Sequence, residues 1–233
     1  MYGISFNNKH SYRDFDITIL NTRAIETPSK IKIKETVPFM NGSYDFSNLY
    51  GGACFSERKL EYEFLLKSKD SIDLEVFRMK VDNWLMGTNN QTKLVDDNLV
   101  GYYYLAECEN VDFEDLRRFG KLKATFIAYP FKISDSEEGN NLWDGFNFEL
   151  DILQETRFDI TGSNTVNIYN RSATNIIPSI YCSSNMEIVK DGTTYKLNSG
   201  TSKDYRLKLN IGNNKMTIKG NGSIEFKFRA EVL

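Results

Sequence analysis

Apolar and polar residues alternate along several stretches of the chain, the pattern of a strand with one face in a core and the other in water. Ile31-Lys32-Ile33-Lys34 has it, and Leu60-Glu61-Tyr62-Glu63-Phe64 has it more cleanly, with Leu60, Tyr62 and Phe64 facing inward. Residues 102–108 and 122–128 read the same way. One stretch carries a helical period instead. Leu74, Phe77, Val81, Trp84 and Leu85 fall on one face, which predicts a helix near 72–86. Asp70 or Ser71 would cap its first amides, Asp70 and Asp73 suit the positive end of its dipole, and Gly87 stands where a left-handed residue would close it.

Residues 134–141 carry no apolar side chain, and the pattern changes there. A linker over 134–145 is therefore expected between a domain of residues 1–133 and a second of residues 146–233. Beyond it, short strand candidates fall at 146–150, 166–169, 176–181, 186–189, 216–218 and 224–228. Turn residues separate them: Thr161-Gly162-Ser163-Asn164, Asp191-Gly192, Gly212-Asn213-Asn214 and Gly220-Asn221-Gly222. Asp191-Gly192 is the sharpest hairpin signal, because both residues accept the positive φ of a type I′ turn. Such punctuation predicts an antiparallel sandwich or jelly roll. No fixed-period repeat points to a solenoid or propeller.

Composition sharpens the fold class. The 233 residues include 16 Phe and 13 Tyr against 4 Pro, the balance of a mainly β protein. A formal net charge of -3 offers no positive field for phosphates, so no nucleic-acid specificity is expected. No run is long enough to cross a bilayer, and the opening residues lack a basic segment followed by an apolar one. Synthesis in the cytoplasm and no membrane insertion are the corresponding expectations. Cys54, Cys108 and Cys182 are odd in number and far apart, which argues against a disulfide framework or a Cys-x-x-Cys metal site. All three read as small, buried apolar residues.

Candidate chemistry is sparse. His10 is the only histidine, so any Ser-His-Asp or Cys-His site would have to be built on it, and a polyhistidine zinc site is excluded. Its setting, Asn7-Asn8-Lys9-His10-Ser11, reads as an exposed polar turn. The acidic pairs Asp96-Asp97 and Glu137-Glu138 read as strand residues facing opposite ways and as solvated linker, not as a glycosidase pair. No Gly-rich loop with the spacing of a phosphate cradle occurs. No catalytic, cofactor or metal residue is assigned, and the chain is not read as an enzyme.

Three stretches, taken in order, resemble the distal tail protein family of long-tailed bacteriophages. Phe6-Asn7-Asn8-Lys9-His10-Ser11 with Asp14-Phe15 is similar to the family's opening turn, with Asn8 where glycine is usual. Val37-Pro38-Phe39-Met40-Asn41-Gly42-Ser43-Tyr44-Asp45 is similar to a Val-Pro-Gly-x-x-Gly-x-Tyr-Asp segment, with Phe39 in place of a glycine, and Arg58-Lys59-Leu60-Glu61 follows as an Arg-led strand. The most specific block runs from Trp84-Leu85-Met86-Gly87 through Lys93-Leu94-Val95-Asp96-Asp97 and Tyr102-Tyr103-Tyr104-Leu105-Ala106. It continues to Asp112-Phe113, Arg118-Phe119-Gly120 and Phe126-x-Ala128-Tyr129-Pro130.

The resemblance implies an N-terminal β-rich domain with one helix that forms a hexameric ring of identical copies, followed by a C-terminal galectin-like antiparallel β-sandwich. It implies a structural place at the virion's tail tip or baseplate, between the tail-tube protein and the tail-associated hub protein, with a receptor-binding protein as a further partner. Residues 30–37 would belong to an extended hairpin reaching a neighbour, with Lys30, Ile31, Lys32, Ile33 and Lys34 as candidate interface residues; a plain edge strand is the alternative. The rival reading is a saccharide-binding module of host adhesion with Trp143 as its candidate residue, where burial would instead make Trp143 a packing residue. A cell-wall hydrolase comes third.

Overall fold

The computed structural model describes residues 2–49, 52–67, 71–116, 119–140 and 152–233. It divides into two compact units, 1–133 with Leu233 and 134–232. The first contains β1 (Ile4–Phe6), β2 (Lys9–His10), α1 (Ser11–Phe15), β3 (Thr18–Ile25), β4 (Lys34–Glu35), β5 (Tyr44–Asp45) and β6 (Arg58–Lys67). It continues with α2 (Ser71–Met86), β7 (Thr92–Asp96), β8 (Tyr102–Asp115) and β9 (Phe119–Ala128), and β10 (Lys132–Ser134) begins in it and ends on the first residue of the second unit. An antiparallel sheet runs in the order β2-β1-β7-β8-β9-β6-β3.

Period-two alternation decides which face of that sheet is buried. Leu60, Tyr62, Phe64 and Leu66 of β6 are fully buried. Across the strand pair Tyr62 faces Ala124 and Leu60 faces Phe126, so large and small side chains interdigitate. The glutamates between them hold Lys59, Lys121 and Lys123 at 2.8–3.1 Å on the solvent face, pairs that add little stability. Helix α2 closes the core with Leu74, Val81, Trp84 and Leu85 buried and Phe77 packed beside them. Asp70 lies outside the described residues. Gly87 is not left-handed; a Cβ there would lie 2.4 Å from the Asn83 carbonyl oxygen, so close backbone approach, not capping, explains this glycine.

The second unit contains β11 (Arg157–Asn170), β12 (Ser179–Cys182), β13 (Met186–Lys190), β14 (Thr193–Leu197), β15 (Gly200–Ser202), β16 (Gly212–Lys227) and β17 (Glu231–Val232). Six of them form one sheet in the order β14-β13-β16-β12-β15, with β11 paired to β16 along its length. Asp191 and Gly192 take φ 50° and 77° between paired Lys190 and Thr193, the expected type I′ hairpin. The glycine clusters read as turns behave differently. Gly162 faces Gly220 and Ile160 faces Gly222 in the middle of the β11–β16 ladder, with φ 74°, 144° and 134° at the three glycines. On one side of them β16 pairs with β13, and on the other with β12. These glycines mark a corner where the sheet folds over a single apolar core. The candidate strands 216–218 and 224–228 thus fall largely on one strand, and 146–150 lies outside the described residues.

Two further expectations are corrected. Residues 134–140 are part of the second unit rather than a solvated linker. The Ser134 amide donates to the Ala230 carbonyl at 2.8 Å and the Glu138 amide to Phe228 at 2.9 Å. The Glu138 side chain is buried against Arg171, with Nε–Oε1 at 2.7 Å, and accepts from Gln154 at 2.8 Å. Composition alone hid this because a buried carboxylate needs its cation, and Arg171 is remote in sequence. Cys108 and Cys182 are buried, but Cys54 is exposed.

Burial pushes the Cys108 thiol up to about 12. Ellman's reagent at neutral pH is therefore expected to titrate Cys54 rapidly in the native chain, and Cys108 and Cys182 only after denaturant is added. Gly220→Ala places a Cβ 2.9 Å from Met186 Cγ at φ 144°. It should lower the stability of the second unit by roughly 1–3 kcal/mol, measured by urea unfolding.

Candidate functional site

Between Ile25 and Arg58 the chain leaves the sheet and returns as a long arm. Its two legs are tied rung by rung. Ser29 and Ser56 exchange hydrogen bonds, with the Ser56 amide 2.8 Å from the Ser29 carbonyl. Next come a bridge between Lys30 and Phe55 and the Ile31 amide on the Cys54 carbonyl at 2.9 Å. Farther out, the Phe46 amide donates to the Ile33 carbonyl at 2.9 Å, and Lys34 and Glu35 of β4 pair with Asp45 and Tyr44 of β5. Lys32 Nζ lies 3.0 Å from Asp45 Oδ2. The Ser47 hydroxyl and amide, together with Lys32, hold the Asp45 carboxyl well below the usual carboxylate range. The tip turns through Phe39, at φ 66°, and Gly42, at φ 92°.

None of the described residues from 29 to 57 is buried. The arm nevertheless carries Ile31, Ile33, Val37, Phe39, Tyr44, Phe46 and Leu49, all exposed, with Phe39 wholly so at 109%. This corrects the alternation reading of Ile31-Lys32-Ile33-Lys34: regular strand survives only at Lys34–Glu35, and Ile31 and Ile33 face water instead of the core. The candidate residues Lys30, Ile31, Lys32, Ile33 and Lys34 all sit on this arm. Trp143 lies outside the described residues.

The root of the arm is fixed by Arg58, buried at 2% exposure. Its Nη1 donates to the Glu26 carbonyl and its Nε to the Pro130 carbonyl, each at 3.0 Å. Its guanidinium lies 5.8 Å from the Tyr104 ring centroid. One cation thus joins the outgoing leg, the returning strand and the end of the β9 segment, and burial draws its pKa down. Phe55 packs edge-on against Phe131 with ring centroids 5.4 Å apart, adding an apolar contact at the same root.

The residue types singled out for chemistry are used structurally. His10 is buried, not an exposed turn residue. It caps α1: its Nδ1 accepts from the Tyr12 and Arg13 amides at 3.1 Å, which leaves the ring proton on Nε2, 3.0 Å from Asp97 Oδ2. Asp97 also accepts from the Gly3 amide at 2.9 Å. Asp96 turns the other way, buried, and accepts from Arg23 Nη1 at 2.8 Å and the Tyr62 hydroxyl at 3.1 Å. Trp84 Nε1 donates to the Phe6 carbonyl at 2.7 Å and its indole stacks on Phe15 at 4.8 Å. Among the described residues no group of three or more His, Cys, Asp or Glu is placed to hold a metal.

Replacing Arg58 by Met leaves the Glu26 and Pro130 carbonyls without their donor. The expected cost is ~1–3 kcal/mol of stability in the first unit, measured by urea unfolding.

No protein-family model matches the chain, and no curated protein matches it. Solved structures do. The crystal structure of the SPP1 Dit protein, described as a paradigm of the hub adsorption apparatus in Gram-positive-infecting phages, is 14% identical, with a TM-score of 0.63. The match covers 98% of this chain and 99% of that one. A chain of the phage p2 baseplate in its activated conformation with Sr is 10% identical over 98% of this chain and 97% of its own length, with a TM-score of 0.44. From end to end, this chain has the fold of the distal tail protein Dit.

Proposed function

We propose that this chain is a structural hub protein of a phage tail tip or baseplate, and that the arm joins identical copies into a ring, hexameric as the resemblance implies. The observation that carries the reading is the arm itself. An isolated two-stranded hairpin is marginal in water, and this one holds its apolar side chains in solvent, each of them 41% exposed or more. Scattered exposed hydrophobics are ordinary; a run of them along one projecting element marks an interface. Lysines between the isoleucines keep the arm soluble and discourage indiscriminate strand pairing before it finds its partner.

A ring needs a heterologous contact in which each copy gives one surface and receives on another. A projecting arm is such a giving surface. In this reading the tail-tube protein and the tail-associated hub protein bind the two faces of the ring, and a receptor-binding protein is a further partner of the second unit. The protein would act in the virion, at the tail tip.

Light scattering after size exclusion tests the reading directly. The full-length chain should elute as a multiple of 26.9 kDa, six copies for the ring. The double substitution Ile31→Glu with Ile33→Glu should return it to a monomer with unchanged thermal unfolding, since neither side chain contributes to the core. A wild-type chain that remains monomeric at the highest soluble concentration, with tail-tube protein added, would sink the ring.

A further inference from the structure

Helix α2 is apolar on two opposite sides. Its inner side is the core face described above. On the outer side Ile72, Val76, Met79 and Met86 are 77%, 44%, 55% and 48% exposed. At 3.6 residues per turn these four fall in one stripe facing away from Val81, with exposed Asn83 as the polar residue among them. A helix with a solvent-facing outer side normally keeps that side polar, and one that is apolar on both sides is covered on both.

We infer that the outer stripe of α2 is the seat for the arm of a neighbouring copy. The inference rests on the proposed ring and names its receiving surface. Three observations select the arm as occupant. The first is length: the stripe from Ile72 to Met86 spans ~21 Å at 1.5 Å per residue, and the extended arm from Ile31 to Val37 spans ~20 Å at 3.3 Å per residue. The second is chemistry: Ile31, Ile33, Val37 and Phe39 are exposed on the arm as the four stripe residues are on the helix, so one contact removes both sets from water.

The third is charge. The stripe is flanked by three acids, Asp73, Glu75 and Asp82, against two bases, Lys80 and Arg78, and Arg78 is directed to Asp82 at 3.4 Å, Glu75 at 3.8 Å and the Phe113 ring at 4.5 Å. The arm presents Lys30, Lys32 and Lys34 around its isoleucines, with Lys32 also paired to Asp45 of the returning leg. The other apolar segment of this chain long enough to lie on the stripe, residues 141–151, carries Asp144, Glu149 and Asp151 and no basic residue. It would set acid against acid, whereas the arm sets lysine against acid.

Cross-linking of the full chain in a Cys54→Ser background tests the seat, because Cys108 and Cys182 are buried. One preparation carries Ile33→Cys and a second Val76→Cys; the two are mixed under assembling conditions and oxidised. A disulfide-linked dimer is expected from this mixture and not when Val100→Cys, exposed in the turn between β7 and β8, replaces Val76→Cys. In parallel, Val76→Glu should weaken self-association at least about tenfold while thermal unfolding stays unchanged, the penalty for a carboxylate set into an apolar contact.

If the wild type assembles but neither the cross-link nor the effect of Val76→Glu appears, the seat is elsewhere and the ring stands. If the Val76→Cys thiol is shielded from labelling in dilute monomer, the stripe is covered from within its own chain and the inference is overturned. If no assembly forms at all, the ring reading falls first and the seat with it.

Discussion

The geometry of the first unit depends on one buried cation. Arg58 sits where the arm rejoins the sheet, and its hydrogen bonds reach the Glu26 and Pro130 carbonyls, one on each side of the strand it begins. A guanidinium suits this place because its donors are fixed in a planar fork, so two carbonyls held at set angles fix the direction of the chain between them. A lysine would supply charge without direction. The arm has almost no core of its own, so whatever angle it takes is set at this root.

A second cluster organises the other side of the unit, and it joins segments that are far apart in the chain. Asp97 lies between His10 and the Gly3 amide, and Trp84, at the end of α2, is tied to Phe6 and stacked on Phe15. The opening turn runs through Asn7 and Asn8, both left-handed at φ 45° and 59°, which presents Lys9 and His10 back to β1. A Cβ on Gly3 would lie 2.4 Å from His10 Cε1, so the backbone must approach the ring edge closely there. Two of the motifs that resemble the distal tail family, the opening turn and the block that begins at Trp84, are therefore in contact in space.

What the sequence made legible was periodic or local. The alternation of β6, the core face of α2 and the Asp191-Gly192 hairpin each follow from a rule that involves near neighbours only. What stayed hidden depended on partners remote in sequence. Gly162, Gly220 and Gly222 carry the composition of loop turns, and only their mutual register makes them a corner in continuous strands. Glu138 reads as solvated until Arg171 is placed beside it, and His10 as exposed until Asp97 is. The outer stripe of α2 was present in the sequence at helical spacing, but the inner face accounts for the helix by itself, and burial was needed to show that Ile72, Val76, Met79 and Met86 remain uncovered. The arm inverted a sound rule: alternation in 31–34 records two kinds of side chain on a strand-like segment, not that a core lies on one side within the same molecule.

Phe39 extends that point. A non-glycine residue at φ 66° is strained by roughly 1–2 kcal/mol, and the same residue holds its whole ring in water at the arm's tip. Either feature alone would be unremarkable. Together they set an unfavourable backbone and an unfavourable solvation at one position, in a turn that glycine would make without either cost. A monomer gains nothing from that combination. In the proposed assembly it would become favourable if the phenyl ring entered an apolar surface on another copy, where burial of a phenylalanine is worth about 1.5–3 kcal/mol, enough to offset the turn. The strain and the exposure would be, in that proposed assembly, two sides of one requirement, a tip that aims an anchoring side chain outward.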